Sequence, residues 1–147
     1  MSYVIRKASL EDLKDIYSLV LELAEYEKEP EAVTATLKDY QQNFREKVFD
    51  AIVAEADGVV IGTCVYYLTW STWKGRMMYL EDFVIREAHR RKGVGQLLFD
   101  EFLEISKKEN AVMVKWQVLD WNEPAIKFYE KNEAIFDKGW WNVKIFF

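Results

Sequence analysis

The chain has 147 residues, half of them hydrophobic, with 6 Trp, 8 Tyr and 9 Phe, one cysteine and a net charge of −5. Such a composition can fill a single packed domain spanning 1–147, and it excludes a disordered chain and a disulfide scaffold. The acid excess weighs against a nucleic-acid binder, no apolar run approaches the ~18 residues of a membrane span, and the start MSYVIRKASLEDL lacks a signal-peptide pattern, so the expected compartment is the cytoplasm.

Residues 2–7 read as a strand. Ser9 and Asp12 then open a helix whose apolar stripe is Leu10, Leu13, Ile16, Tyr17, Val20, Leu21 and Ala24. Pro30 lies past its end, and a second helix is predicted near 35–45 with Leu37, Tyr40 and Phe44 on one face. Residues 49–56, the turn Asp57-Gly58, residues 59–70, the loop STWKG and residues 76–86 predict a three-stranded antiparallel meander. A helix follows over about 93–108, with Val94, Leu98, Phe102 and Ile105 inward. Residues 111–119 read as a buried strand, Asn122 and Pro124 open a helix, and 134–147 read as one or two closing strands. The expected architecture is α+β, a mixed and mostly antiparallel sheet with helices on both faces.

Charge is uneven along the chain. Residues 22–31 (ELAEYEKEPE) hold five Glu and one Lys, whereas residues 86–92 (REAHRRK) hold four Arg or Lys and one Glu. The basic run leads into Arg90-Arg91-Lys92-Gly93-Val94-Gly95, between a strand and a helix. A helix start offers unpaired N–H groups and a positive dipole end, and glycine lets backbone approach an anion. The pattern lacks the Lys-Ser or Lys-Thr of a nucleotide P-loop and the G-x-G-x-x-G of a dinucleotide site. Alone, it also fits a turn that glycine merely eases.

In sequence context, YLEDFVI, Arg90-x-x-Gly93-x-Gly95 and Trp121-Asn122-Glu123-Pro124-Ala125-Ile126-Lys127-Phe128-Tyr129-Glu130 resemble the GNAT family of acetyl-CoA-dependent N-acetyltransferases. More narrowly they are similar to its spermidine/spermine (diamine) and thialysine branch, as are ELAEYE at 22–27 and GWWNVKI at 139–145. The resemblance implies the GNAT acyl-CoA N-acyltransferase fold, acetyl-CoA as cofactor and a homodimer. It implies coenzyme contacts from Arg90, Arg91, Lys92, Gly93, Val94, Gly95 and Gln96 at the pyrophosphate. Phe83, Val84 and Ile85 would lie along the pantetheine arm, with Asn122, Pro124, Ala125 and Tyr129 on its far side. Tyr129 matches the general acid that protonates the departing thiolate.

Glu81 matches the acceptor-side carboxylate that helps the ammonium lose its proton. An alkyl ammonium of pKa about 10.4 is only about one part in 2500 neutral at pH 7, a handicap near ~4.6 kcal/mol. Adjacent strand residues point to opposite faces, so only one of Glu81 and Asp82 is expected to face the acceptor unless a bulge intervenes. Tyr26, Glu27, Asp82, Trp73 and Trp140 match acceptor-binding positions; aromatic faces can hold an ammonium.

The implied activity is acetyl transfer to a primary amine of a small cationic acceptor, a diamine, polyamine or lysine-like amino acid, by direct attack. An acyl-CoA-binding module without acceptor chemistry and a protein lysine or N-terminal acetyltransferase are the competing readings. Lys138, Glu133 and Asp120 depart from the branch's pattern, chiefly on the acceptor half. One His and one Cys cannot build a zinc site, so no metal is expected. Cys64 reads as a small core residue, and His89 as a surface one.

Overall fold

Arg6 fastens the first strand to the first helix. Its guanidinium reaches both oxygens of Asp12, at 2.7 and 2.9 Å, and its Nε donates to Glu55 at 2.7 Å. Asp12 also accepts the Ser9 N–H at 2.7 Å, and its carboxyl is held down at about 2, first by the Arg6 hydrogen bond. The computed structural model describes residues 2–147, which divide into one unit ending at Gln117 and a second of Val118–Phe147.

In the first unit the elements are β1 (Tyr3–Lys7), α1 (Leu13–Tyr26), α2 (Leu37–Arg45), β2 (Asp50–Ala56), β3 (Val59–Ser71), β4 (Gly75–Ile85), α3 (Val94–Lys108) and β5 (Met113–Lys115). Thr36 and Asp39 cap α2 reciprocally, at 3.1 and 2.8 Å. Asp57 and Gly58 both take positive φ, 51° and 79°, which is the twist a two-residue hairpin needs between β2 and β3.

The strands form one sheet in the order β1-β2-β3-β4-β5. The first three pairings are antiparallel, and β4–β5 is parallel over Met77–Tyr79 with Met113–Lys115. Ala51, Ile52, Val53 and Ala54 of β2 are all fully buried, so both faces of the sheet are covered. On one face Leu13, Ile16 and Leu19 of α1 pack on Ala51, Val53, Val65 and Val84. On the other, Phe99 of α3 stacks on Phe83 at 5.8 Å and Phe102 meets Tyr66 at 5.5 Å.

The second unit contains α4 (Glu123–Lys131). The closing strands expected over 134–147 are absent; this segment carries no regular structure. Its alternation of Trp141, Val143, Ile145 and Phe147 is strand-like, but these side chains are exposed, and alternation makes a strand only where a neighbour takes the backbone hydrogen bonds. For the same reason β5 is three residues rather than the expected 111–119: its pairing with β4 ends at Tyr79↔Lys115. Among the described residues, no helix is long and apolar enough to cross a membrane.

Candidate active site

The β3–β4 pairing contains one extra residue. Asp82 lies opposite Val65 and Leu80 opposite Tyr66, which leaves Glu81 as the bulge. The bulge breaks the in-out alternation, so Glu81 and Asp82 line one cleft of about 260 Å³, together with Tyr40, Val48, Phe49, Val65 and Tyr67. The expectation of a single inward carboxylate gives way to a pair.

The two acids are held differently. Glu81 is exposed and accepts the Tyr67 hydroxyl at 3.1 Å. Asp82 is half-buried, and its carboxyl is pushed up to about 7, first by burial and then by the charges of Glu81 and Glu27. Among the described residues, neither a hydrogen bond nor a cation draws it back. Glu27, at the C-terminal end of α1, is itself raised by burial. The Tyr67 phenol is raised to about 12, by burial and by Glu81. A carboxylate near 7 is a stronger base than an ordinary one near ~4. It shortens the uphill proton transfer from an ammonium of pKa about 10.4.

The glycine loop ends at Gly93, whose φ of 84° is a left-handed conformation that glycine adopts without cost. Arg91, two residues before it, is also left-handed, at 63°. The first helical hydrogen bond of α3 runs from Leu97 N to Gly93 O at 3.3 Å, so the N–H groups of Val94, Gly95 and Gln96 form the helix's opening turn. A Cβ on Gly95 would meet only ordinary contacts, the nearest being the Phe83 ring at 3.7 Å. Packing within the protein therefore does not demand that glycine. Its bare backbone suits close approach of an anion.

The basic side chains divide. Arg91 and Lys92 are exposed. Arg90 turns inward: its Nε donates to Ile85 O at 2.9 Å, its guanidinium lies 5.6 Å from the Tyr26 ring centre, and Glu22 is at 3.8 Å. On β4, Arg86 N bonds Ile61 O at 2.8 Å, which sets the alternation of the antiparallel ladder. Val84 accordingly faces β3 with its backbone polar groups, while Phe83 and Ile85 turn theirs to the β5 side, past the last β4–β5 pair.

In the second unit, Asn122 caps α4 by accepting Ala125 N at 3.4 Å, with Pro124 in the first turn. Tyr129 is buried on this helix beside Phe128. Trp140 is exposed and donates to Asp137 at 3.0 Å. In the first unit, Trp73 sits exposed at the β3–β4 turn and does not line the cleft.

Sequence reasoning missed Tyr67, Val65, Tyr40, Val48 and Phe49 as cleft residues. Only Tyr40 carried a signal, its place on the inner face of the second predicted helix. Cys64 is fully buried and its thiol is pushed up by burial, which leaves no nucleophile there. His89 is half-buried rather than a plain surface residue, with Nδ1 3.2 Å from the Tyr3 hydroxyl.

A model of the acetyltransferase (GNAT) family matches residues 11–133. Thialysine N-epsilon-acetyltransferase of Bos taurus is 36% identical over 141 residues, covering 88% of this chain and 83% of that protein. The protein of the same name from Caenorhabditis elegans is 28% identical over 135 residues, covering 90% and 84%. Among solved structures, an aminoglycoside acetyltransferase from an uncultured soil metagenomic sample superposes with a TM-score of 0.81 at 20% identity, covering 99% of each chain. At that identity the likeness speaks for the fold.

Proposed function

The chain belongs to the GNAT acetyltransferase family and is an acetyl-CoA-dependent acetyltransferase, and from that premise we propose that its acceptor is the primary amine of a small cationic molecule. The observation that carries this reading is the bulge at Glu81, which turns two carboxylates into one cleft. The thialysine N-epsilon-acetyltransferases among its relatives support a small amine as acceptor.

In this reading Glu27, Glu81 and Asp82 draw the ammonium, and Asp82 takes its proton, with Tyr26 and Trp140 as further acceptor contacts; Trp73, at the β3–β4 turn, is left out of the acceptor site. Acetyl-CoA supplies the activated acetyl thioester. Gly93, Val94, Gly95 and Gln96 hold its pyrophosphate through backbone N–H groups, with Arg91 and Lys92 adding charge. Phe83, Val84 and Ile85 receive the pantetheine arm as an added strand. Asn122, Pro124 and Ala125 line it, and Tyr129 Oη donates a proton to the leaving sulfur.

We also propose that 1–147 acts as one domain, which the family match across both units supports. A homodimer that covers the exposed alternating segment at 141–147, in the cytoplasm where a lone cysteine stays reduced, completes the reading.

The test is thiol release from acetyl-CoA with putrescine, spermidine, lysine, thialysine, an aminoglycoside and a basic peptide. Transfer to at least one small amine is expected. Silence toward all of them, with acetyl-CoA binding confirmed, would leave a coenzyme-binding module instead.

A further inference from the structure

Resting on the amine-acceptor reading above, we infer that Glu22 is a positioning residue, which binds the coenzyme loop to α1 through Arg90 and so sets Tyr26 and Glu27 for the acceptor. Ser18, Glu22 and Tyr26 stand four residues apart on α1 and therefore share one face. Arg86 and Arg90 lie against that face, one on each side of the turn Glu87–His89. Arg86 donates to Ser18 Oγ at 3.3 Å and to Glu22 Oε2 at 2.8 Å. Arg90 reaches Glu22 Oε1 at 3.8 Å and covers the Tyr26 ring at 5.6 Å. The two arginines thus engage three successive positions of the helix, and Glu22 touches both.

Each arginine is also fixed to the sheet. Arg86 N donates to Ile61 O at 2.8 Å, at the end of the β3–β4 ladder, and Arg90 Nε donates to Ile85 O at 2.9 Å. Glu22 therefore ties α1 to the end of β4, the strand that carries Glu81 and Asp82. The side chains of Glu22, Arg86 and Arg90 are 32, 30 and 37% exposed, so solvent screens this three-membered network less than a lone surface pair. α1 stops at Tyr26 and Glu27 follows as its cap, so both acceptor residues sit where a helix frays most readily. Arg90 on the Tyr26 ring holds that end, and Glu22 keeps Arg90 there.

Glu22 also places a negative charge beside two cations that flank a loop read as a pyrophosphate site. That charge opposes an anion. The two sites therefore make opposite demands on one carboxylate, and replacing it should separate them.

Glu22→Gln keeps the shape and removes the charge. In the full chain, KM for thialysine and for putrescine should rise about three- to tenfold, with kcat within about twofold of native. The Kd for acetyl-CoA, by calorimetry, should stay the same or tighten by up to about threefold. Glu25→Gln removes one charge from an exposed place on the same helix outside these contacts, and should move either value by less than about twofold. In an Arg90→Gln background, Glu22→Gln should raise the acceptor KM by less than about twofold. Three results would each overturn the inference. Acetyl-CoA binding weakened as much as the acceptor KM would make Glu22 a mere support of the loop. Glu25→Gln matching Glu22→Gln would reduce the effect to the general field of the acids. An undiminished effect in the Arg90→Gln background would mean that Glu22 acts without Arg90. Native transfer left unchanged by Glu22→Gln would sink this inference alone, whereas a native chain that binds acetyl-CoA and acetylates no small amine would sink the acceptor reading beneath it.

Discussion

Arg90 of the glycine loop lies over the ring of Tyr26 at the end of α1, its guanidinium carbon 5.6 Å from the ring centre. The same guanidinium holds Ile85 O at 2.9 Å. Arg90 thus braces the loop against α1, whereas Arg91 and Lys92 are exposed. The basic residues should separate by experiment. Arg90→Ala should cost about 1–2 kcal/mol of stability in a denaturant melt. Arg91→Ala and Lys92→Ala should leave stability unchanged but raise the KM for acetyl-CoA about three- to tenfold, more at low salt.

Asp82 should be a residue that costs stability and gives activity. Its folded pKa is about 7, above the ordinary value of 3.8, so the folded state holds the proton more tightly than the unfolded chain. Its favourable contribution is complete below pH ~4 and is lost as pH rises toward ~7. Asp82→Asn should therefore raise stability at pH 8 by roughly 1–3 kcal/mol, seen in the denaturation midpoint, while acetyl transfer falls about 10²-fold.

Much of this site is legible in the chain, and the part that is not has a physical cause. The loop through Gly95, the cap at Asn122 and the acids at 22–31 are local signals, because helix starts and charge runs are written in neighbouring residues. The bulge is not local. Nothing in YLEDFVI marks Glu81 as the extra residue, since neither glycine nor proline flags it and its position depends on register against Val65 and Tyr66. Reading that strand alone separates Glu81 from Asp82 by half a turn of the pleat. The aromatic lining of the cleft is hidden likewise, because Tyr67 lies on β3 and Phe49 just ahead of β2, while Tyr40 comes from α2. At 134–147 the error runs the other way: the local alternation is clear, and the partner that would make it a strand is not supplied.

Gly93→Ala separates conformation from contact. Nothing lies within 4 Å of a Cβ built there, so the cost is the left-handed φ of 84° alone. The variant should lose about 1–2 kcal/mol of stability or re-form its loop. In either case acetyl-CoA binding, measured by calorimetry, should weaken by about tenfold or more.

Tyr129→Phe removes one oxygen from a buried ring. If this hydroxyl protonates the departing sulfur, kcat should fall about 10²-fold while acetyl-CoA affinity changes less than about threefold. Equal losses in both would make Tyr129 a binding residue.

The most direct measurement is kcat/KM for the amine acceptor against pH, in the native protein and in Asp82→Asn. The groups acting on Asp82 are Glu81 beside it on β4 and Glu27 at the end of α1; Tyr40 of α2 and Tyr67 of β3 share its cleft. The active form is the carboxylate, so the native profile should rise through a pKa of about 7. In Glu81→Gln that rise should move to lower pH, because a like charge is gone. In Asp82→Asn it should vanish, leaving only the slow climb of acceptor deprotonation. The same rise near 7 persisting in Asp82→Asn would contradict the assignment of the acceptor proton to this carboxylate pair.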